Sequence, residues 1–266
     1  MNWNKQELLA ILPQRMRTFD FEDARELRLR TGKPPRLKVA RGFRDQRGLV
    51  ESQDLRFVIN AASRYSPWTA ASMAQGYLTA PGGHRIGLCG DGAGEGVQEI
   101  SSLCIRIARD VGGIAGGLPE SGSLLILGPP GSGKTTLLRD YIRLISGNAS
   151  VAVVDERREI FPEGFFRGEN TDILSGFDKE KGIDMVLRAM GPDVIAMDEI
   201  TSGKDCAALL RAAWCGVRLV ATAHAASVSD LHSRQIYRPL TESGLFSRVA
   251  VLDRQSNWHL EEVSGW

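Results

Sequence analysis

Long apolar runs are missing from this 266-residue chain. No stretch approaches the roughly 18 apolar residues that span a bilayer, so no membrane-crossing helix is expected. The first residues, Met1-Asn2-Trp3-Asn4-Lys5-Gln6-Glu7, lack the apolar run of a secretory signal. The expectation is a soluble protein inside the cell, with any membrane contact peripheral or through a partner. Net charge is nearly absent too: 33 Lys and Arg against 32 Asp and Glu leave +1. A chain with so weak an overall field is not a generic polyanion binder, and nucleic acid is not expected as its partner. Cysteines are few, at 89, 104, 206 and 215, with no C-x-x-C pair and no His/Cys cluster at metal-ligand spacing. Buried, reduced thiols are expected.

What is present is globular: 42% hydrophobic and 24% charged residues. A chain of this length buries about three quarters of its unfolded surface and needs no staple. The charge is unevenly placed. Residues 25–47 carry nine basic residues and two acids, a local +7 against −6 for the remainder. Within that segment Leu27 and Leu29 alternate with Arg28 and Arg30, and Leu37 and Val39 alternate with Arg36 and Lys38. Period two on both sides of Gly32-Lys33-Pro34-Pro35 predicts two antiparallel strands with a basic outer face. Helical spacing covers residues 3–18 and 52–64, the second with Ser52 as N-cap and Leu55, Val58, Ile59 and Ala62 on one face. Strands are expected at 77–79, 85–89 and 103–108, and the glycine-rich stretch 90–96 as a flexible turn. Residues 1–115 therefore read as an α+β domain.

Beyond residue 116 the pattern changes. Short apolar runs at 124–127, 151–154, 194–197 and 219–223 are separated by helical stretches near 134–146, 180–190 and 204–214. Continuous apolar strands alternating with helices predict an α/β domain over 116–266, with a parallel sheet buried on both faces. Runs at 249–252 and 258–263 complete an edge.

The strongest motif is Gly128-Pro129-Pro130-Gly131-Ser132-Gly133-Lys134-Thr135-Thr136. It fits G-x-x-x-x-G-K-[ST] directly after an apolar strand and directly before a helix. Glycines let backbone N–H groups turn toward phosphates, and the helix N-terminus adds its dipole. Lys134 would meet the β and γ phosphates of ATP, and the Thr135 hydroxyl would ligate magnesium. The strand 194–197 ends in Asp198-Glu199. Asp198 would orient magnesium or its waters, and Glu199 would act as general base on the attacking water. Two more strand ends carry polar groups, Asp155-Glu156-Arg157-Arg158 and Thr222-Ala223-His224. Glu156 would support the water or the metal, and His224 would sense the γ-phosphate.

In this order, the phosphate loop, Val-Asp-Glu-Arg, Pro192-Asp193 with its strand and Asp-Glu-Ile, and Thr-Ala-His resemble the secretion ATPases of type II and type IV pilus systems. Glu199 falls on that family's catalytic glutamate and Asp205 on a downstream acid. Asp198 stands where those motors have Gly, so its metal role follows from phosphate-loop logic. Residues 26–35, 83–90 and 101–109, with 153–157 and 182–200, resemble the smaller stage III sporulation protein AA family over most of residues 20–255. That resemblance implies a RecA-like core and an ATPase powering a channel complex between mother cell and forespore. It further implies a hexameric ring in the mother-cell cytosol, docked on a membrane protein of that complex. An arginine from a neighbouring subunit would complete the site, with Arg85, Arg106, Arg109 and Arg157 as candidates. Two other readings compete. One is a nucleic-acid-binding ATPase, for which the basic segment offers a face but only Phe43 as an interleaved aromatic. The other is a nucleotide-gated switch that hydrolyses slowly, against which an intact Glu199 argues.

Overall fold

A computed structural model describes residues 5–64, 76–93 and 96–263. The chain divides into two compact units, Met1–Asp110 with Pro162–Phe165, and Val111–Phe161 with Phe166–Trp266.

In the first unit the strands are β1 (Glu26–Arg30), β2 (Arg36–Val39), β3 (Gly42–Asp45), β4 (Tyr77–Thr79), β5 (Arg85–Ala93) and β6 (Gly96–Arg106). They form one antiparallel sheet in the order β3-β2-β1-β6-β5-β4. Alternation sends Leu27, Leu29, Leu37, Ile86, Leu103 and Ile105 to one face. There they meet Leu8 of helix α1 (Lys5–Ala10) and Leu55, Val58 and Ile59 of helix α2 (Ser52–Ser63). Each large apolar side chain buried this way contributes about 1.5–3 kcal/mol. The other face carries the arginines, and Arg28 and Arg36 lie over the Phe43 ring at 5.5 and 5.8 Å.

Four local expectations are corrected. The helix predicted over 3–18 ends at Ala10, and a separate 3-10 turn follows at Gln14–Met16. Pro13 explains the break, because it has no N–H to donate and pushes the preceding residue out of the helical region. Trp3 and Asn4 lie outside the described residues. The cap of α2 is Glu51 rather than Ser52. The Glu51 N–H donates to Asp54 Oδ2 at 2.7 Å, so the acidic pair satisfies the first turn in a capping box. The glycine-rich stretch is largely strand, since β5 runs to Ala93 and β6 starts at Gly96. The ladder slips at Cys89/Gly90 and again at Asp91/Gly92. A Cβ on Gly90 would sit 1.8 Å from the Glu99 carbonyl oxygen, so glycine permits a close backbone approach there. Gly94 and Glu95, the remainder of the expected turn, lie outside the described residues. Of the four free cysteines only Cys206 is buried, while Cys89 and Cys215 are exposed and Cys104 is half-buried.

Among its described residues the second unit holds seven strands: β7 (Leu124–Leu127), β8 (Val151–Asp155), β9 (Thr171–Ser175), β10 (Val194–Met197), β11 (Arg218–Ala223), β12 (Arg248–Leu252) and β13 (Trp258–Glu262). Their order is β13-β12-β7-β11-β10-β8-β9. Every pairing is parallel except that of β13 with β12. Helices α3 (Lys134–Ile145), α4 (Lys179–Ala189) and α5 (Gly203–Trp214) follow β7, β9 and β10, and two short helices, α6 (Val228–Ser233) and α7 (Arg238–Ser243), follow β11. All residues of β7, β8 and β10 are buried, which is why these strands read as unbroken apolar runs. Because β7, β11, β10 and β8 lie side by side and parallel, the segments leaving their carboxyl ends share one edge. Among the described residues no helix is long and apolar enough to cross a membrane.

Candidate active site

The loop 128–133 leaves β7 and enters α3 at Lys134. Gly133 caps that helix with φ of 95° and no side-chain hydrogen bond, which leaves the first-turn N–H groups open toward the loop. Gly128 is held close: a Cβ there would lie 2.4 Å from Ser132 Oγ and 3.2 Å from Leu252. Lys134 is buried, and its ammonium donates to the carbonyls of Gly128 at 2.9 Å and Pro129 at 3.1 Å. Burial pushes its pKa below the ordinary lysine value, against the pull of Asp198 and Glu199 in the other direction.

The third partner of Lys134 is His224 Nδ1 at 3.0 Å. An ammonium can only donate, so Nδ1 accepts and the ring hydrogen sits on Nε2. That Nε2 lies 3.0 Å from Glu199 Oε1. The other carboxylate oxygen, Oε2, takes a bond from Arg157 Nη1 at 3.0 Å. Lys134, His224, Glu199 and Arg157 thus form one connected row. Arg157 lies on the Glu199 of its own chain. Arg109 instead gives its guanidinium to the carbonyls of Phe21, Glu22 and Ala24, and Arg85 stacks on Tyr77 at 4.1 Å.

Asp198 joins the loop to the sheet. Its Oδ2 accepts from Thr135 Oγ1 at 2.6 Å, and its Oδ1 from Thr222 Oγ1 at 2.5 Å. Glu199 adopts φ of 50°, a left-handed conformation unusual for a residue with a side chain. Within the Thr-Ala-His box the sequence by itself points to His224 and not to Thr222, because a threonine at the end of an apolar strand carries no signal of its own.

The Val-Asp-Glu-Arg segment separates into distinct tasks. Asp155 is buried and accepts from the N–H groups of Glu159, Ile160 and Phe161, which folds the chain back after β8. Burial raises its pKa above the usual aspartate value despite those bonds. Replacing Asp155 by Ala orphans these donors and is expected to cost about 3 kcal/mol of stability, measurable by urea titration. Glu156 lines the same cleft as Asp198 and Glu199, but its carboxylate is bound by buried Lys179 at 2.8 Å. Asp205 lies 4.0 Å from that lysine and closes the capping box of α5 with Ser202.

This chemistry fits an anion with several oxygens. Ser132 Oγ is buried without a hydrogen-bond partner among the described residues. Lys134 has no carboxylate at ion-pair distance among the described residues, only carbonyl and imidazole partners. A buried cation, an orphaned hydroxyl and an open helix N-terminus converge on one loop, as phosphate binding requires.

Fold and site together define an α/β phosphate-loop protein with the architecture of the secretion ATPases. The Legionella pneumophila ATPase DotB superposes with a TM-score of 0.58 at 19% identity, covering 90% of this chain and 75% of that one. The pilus retraction motor PilT with bound ADP superposes with a TM-score of 0.65 at 16% identity, covering 86% and 74%. Within that architecture the chain belongs to the family "Sporulation stage III, protein AA", whose model matches residues 4–263. Stage III sporulation protein AA of Bacillus subtilis (strain 168) is 35% identical over 93% of this chain and 91% of its own length.

Proposed function

We propose that the chain is a magnesium-dependent ATPase driving a secretion-like channel complex at the engulfment stage of sporulation. The observation that carries this reading is the 2.6 Å bond between Thr135 and Asp198, which ties the phosphate loop to the acidic strand end. These two side chains would hold magnesium, which when bound screens phosphate charge. Residues 128–136 would cradle the phosphates of ATP and Lys134 would neutralise their oxygens. Glu199 would take the proton of the attacking water as it adds to the γ-phosphorus and ADP leaves. His224 would face the γ-phosphate, and Glu156 would support the water or the metal.

The working form would be a hexameric ring in the mother-cell cytosol, docked on a membrane protein of the channel complex. A neighbour's cation would then complete each site. Arg85 and Arg106, exposed on the sheet of the first unit, are the candidates for it. One observation favours a second reading, a slowly hydrolysing nucleotide-gated switch: both oxygens of Glu199 are engaged, by Arg157 and by His224. In that case the base stays held until a partner releases it.

Magnesium-dependent ATP hydrolysis, followed against protein concentration, separates these cases. Turnover per subunit is expected to rise with concentration as rings form. A rate independent of concentration would remove the shared site. ATP binding without hydrolysis would favour the gated switch.

A further inference from the structure

Thr222 lies on β11, beside the strand that delivers Asp198 and Glu199, and is fully buried. Two of its oxygen atoms make three hydrogen bonds to the segment 198–200. Its Oγ1–H donates to Asp198 Oδ1 at 2.5 Å. The same oxygen accepts the Glu199 N–H at 2.8 Å. Its carbonyl accepts the Ile200 N–H at 2.8 Å. One threonine therefore grips the carboxylate of one acidic residue and the backbone of the next two. The gripped backbone is the strained one, since Glu199 sits at φ of 50°. A side chain in that region persists only where its surroundings over-determine it. The hydroxyl also fixes how Asp198 turns, leaving Oδ2 to meet Thr135.

We propose that Thr222 is the positioning residue of this site, setting the orientation of the Asp198 carboxylate and holding Glu199 in its left-handed turn. The inference rests on the ATPase reading only for its consequence on turnover; the grip itself is made by the Thr222 hydroxyl and carbonyl and involves no nucleotide. It needs the hydroxyl, not the bulk of the side chain. Valine has the same shape but can neither donate to Asp198 nor accept from Glu199. Serine keeps both bonds.

The test compares T222V, T222A and T222S in the full chain, with two readouts. Amide exchange at 198–200, followed by mass spectrometry without nucleotide, reports the grip directly. ATP affinity and turnover, measured in parallel, report its consequence. T222V is expected to lose amide protection at Glu199 and to turn over ATP about 100-fold more slowly, the cost typical of a misplaced catalytic group, with affinity nearly unchanged. T222S is expected to restore protection and most of the turnover, and T222A provides a second hydroxyl-free variant should T222V not fold. Parent-like protection in both hydroxyl-free variants, or a T222S protein as impaired as T222V, would overturn the proposal. A parent that shows no hydrolysis would defeat the ATPase reading instead, while the exchange readout would still decide the role of Thr222.

Discussion

Replacing Glu199 by Gln is expected to lower ATP turnover by about 10²–10⁴-fold, the usual worth of a general base, while nucleotide affinity changes little. The substitution keeps the size of the side chain and one acceptor oxygen for Arg157. It removes the carboxylate that the proposed magnesium-holding pair Thr135 and Asp198 leaves free to take a proton at the end of β10. Parallel measurement of initial rate and equilibrium ATP binding would check this. An E199Q protein that hydrolyses ATP like its parent would remove Glu199 from the mechanism. The variant also tests the row of contacts around it, because its amide meets the Nε2–H of His224 less favourably than a carboxylate does.

The second large effect is on binding. Replacing Lys134 by Ala is expected to weaken ATP binding by about 10–100-fold or more, since a charge-assisted bond to phosphate contributes roughly 1.5–3 kcal/mol even before its long-range attraction is counted. The pH dependence of the parent should carry the same signature. Burial holds the Lys134 ammonium below the ordinary lysine range. Only the protonated form attracts phosphate, so affinity falls as pH rises through its folded pKa, and the fall begins below the range of an exposed lysine. Titration calorimetry across alkaline pH would measure it, and K134A should flatten the curve. Entry of nucleotide would also exchange the carbonyl and imidazole partners of Lys134 for phosphate oxygens, and so loosen His224 from one of its two neighbours.

The tertiary contacts give the strand-end polar residues unequal tasks. Asp155 and Asp205 spend their carboxylates on backbone N–H groups, one on a turn and one on a helix cap. Glu156 is paired with a buried lysine that is distant in sequence. Arg157, one residue further, reaches Glu199 across the cleft. Three consecutive charged residues, Asp155, Glu156 and Arg157, therefore divide between structure and site according to which way each faces after β8.

Much of the fold is legible in the residue pattern alone. The period-two pattern around residues 27–39 gives the basic hairpin, because alternation is the only way a half-buried sheet can be written. The unbroken apolar runs at 124–127, 151–154 and 194–197 give central parallel strands, because both faces of such a sheet are covered. G-x-x-x-x-G-K-T announces its loop through local backbone demands, so its position between strand and helix follows from the residues themselves. Where local reading failed, a local competitor won: Pro13 cut the first helix, and Glu51 with Asp54 displaced Ser52 as the cap.

What the tertiary structure alone decided are the contacts between segments far apart in the chain. Thr135 meets Asp198 over 63 positions and Lys134 meets His224 over 90. These pairs exist because β7, β11 and β10 are neighbours in the sheet although they are not consecutive in sequence. The return of Pro162–Phe165 to the first unit and the grip of Thr222 on Asp198 and Glu199 belong to the same class. Residue types and spacing determine which chemistry a segment can offer. Strand order determines which of those segments meet.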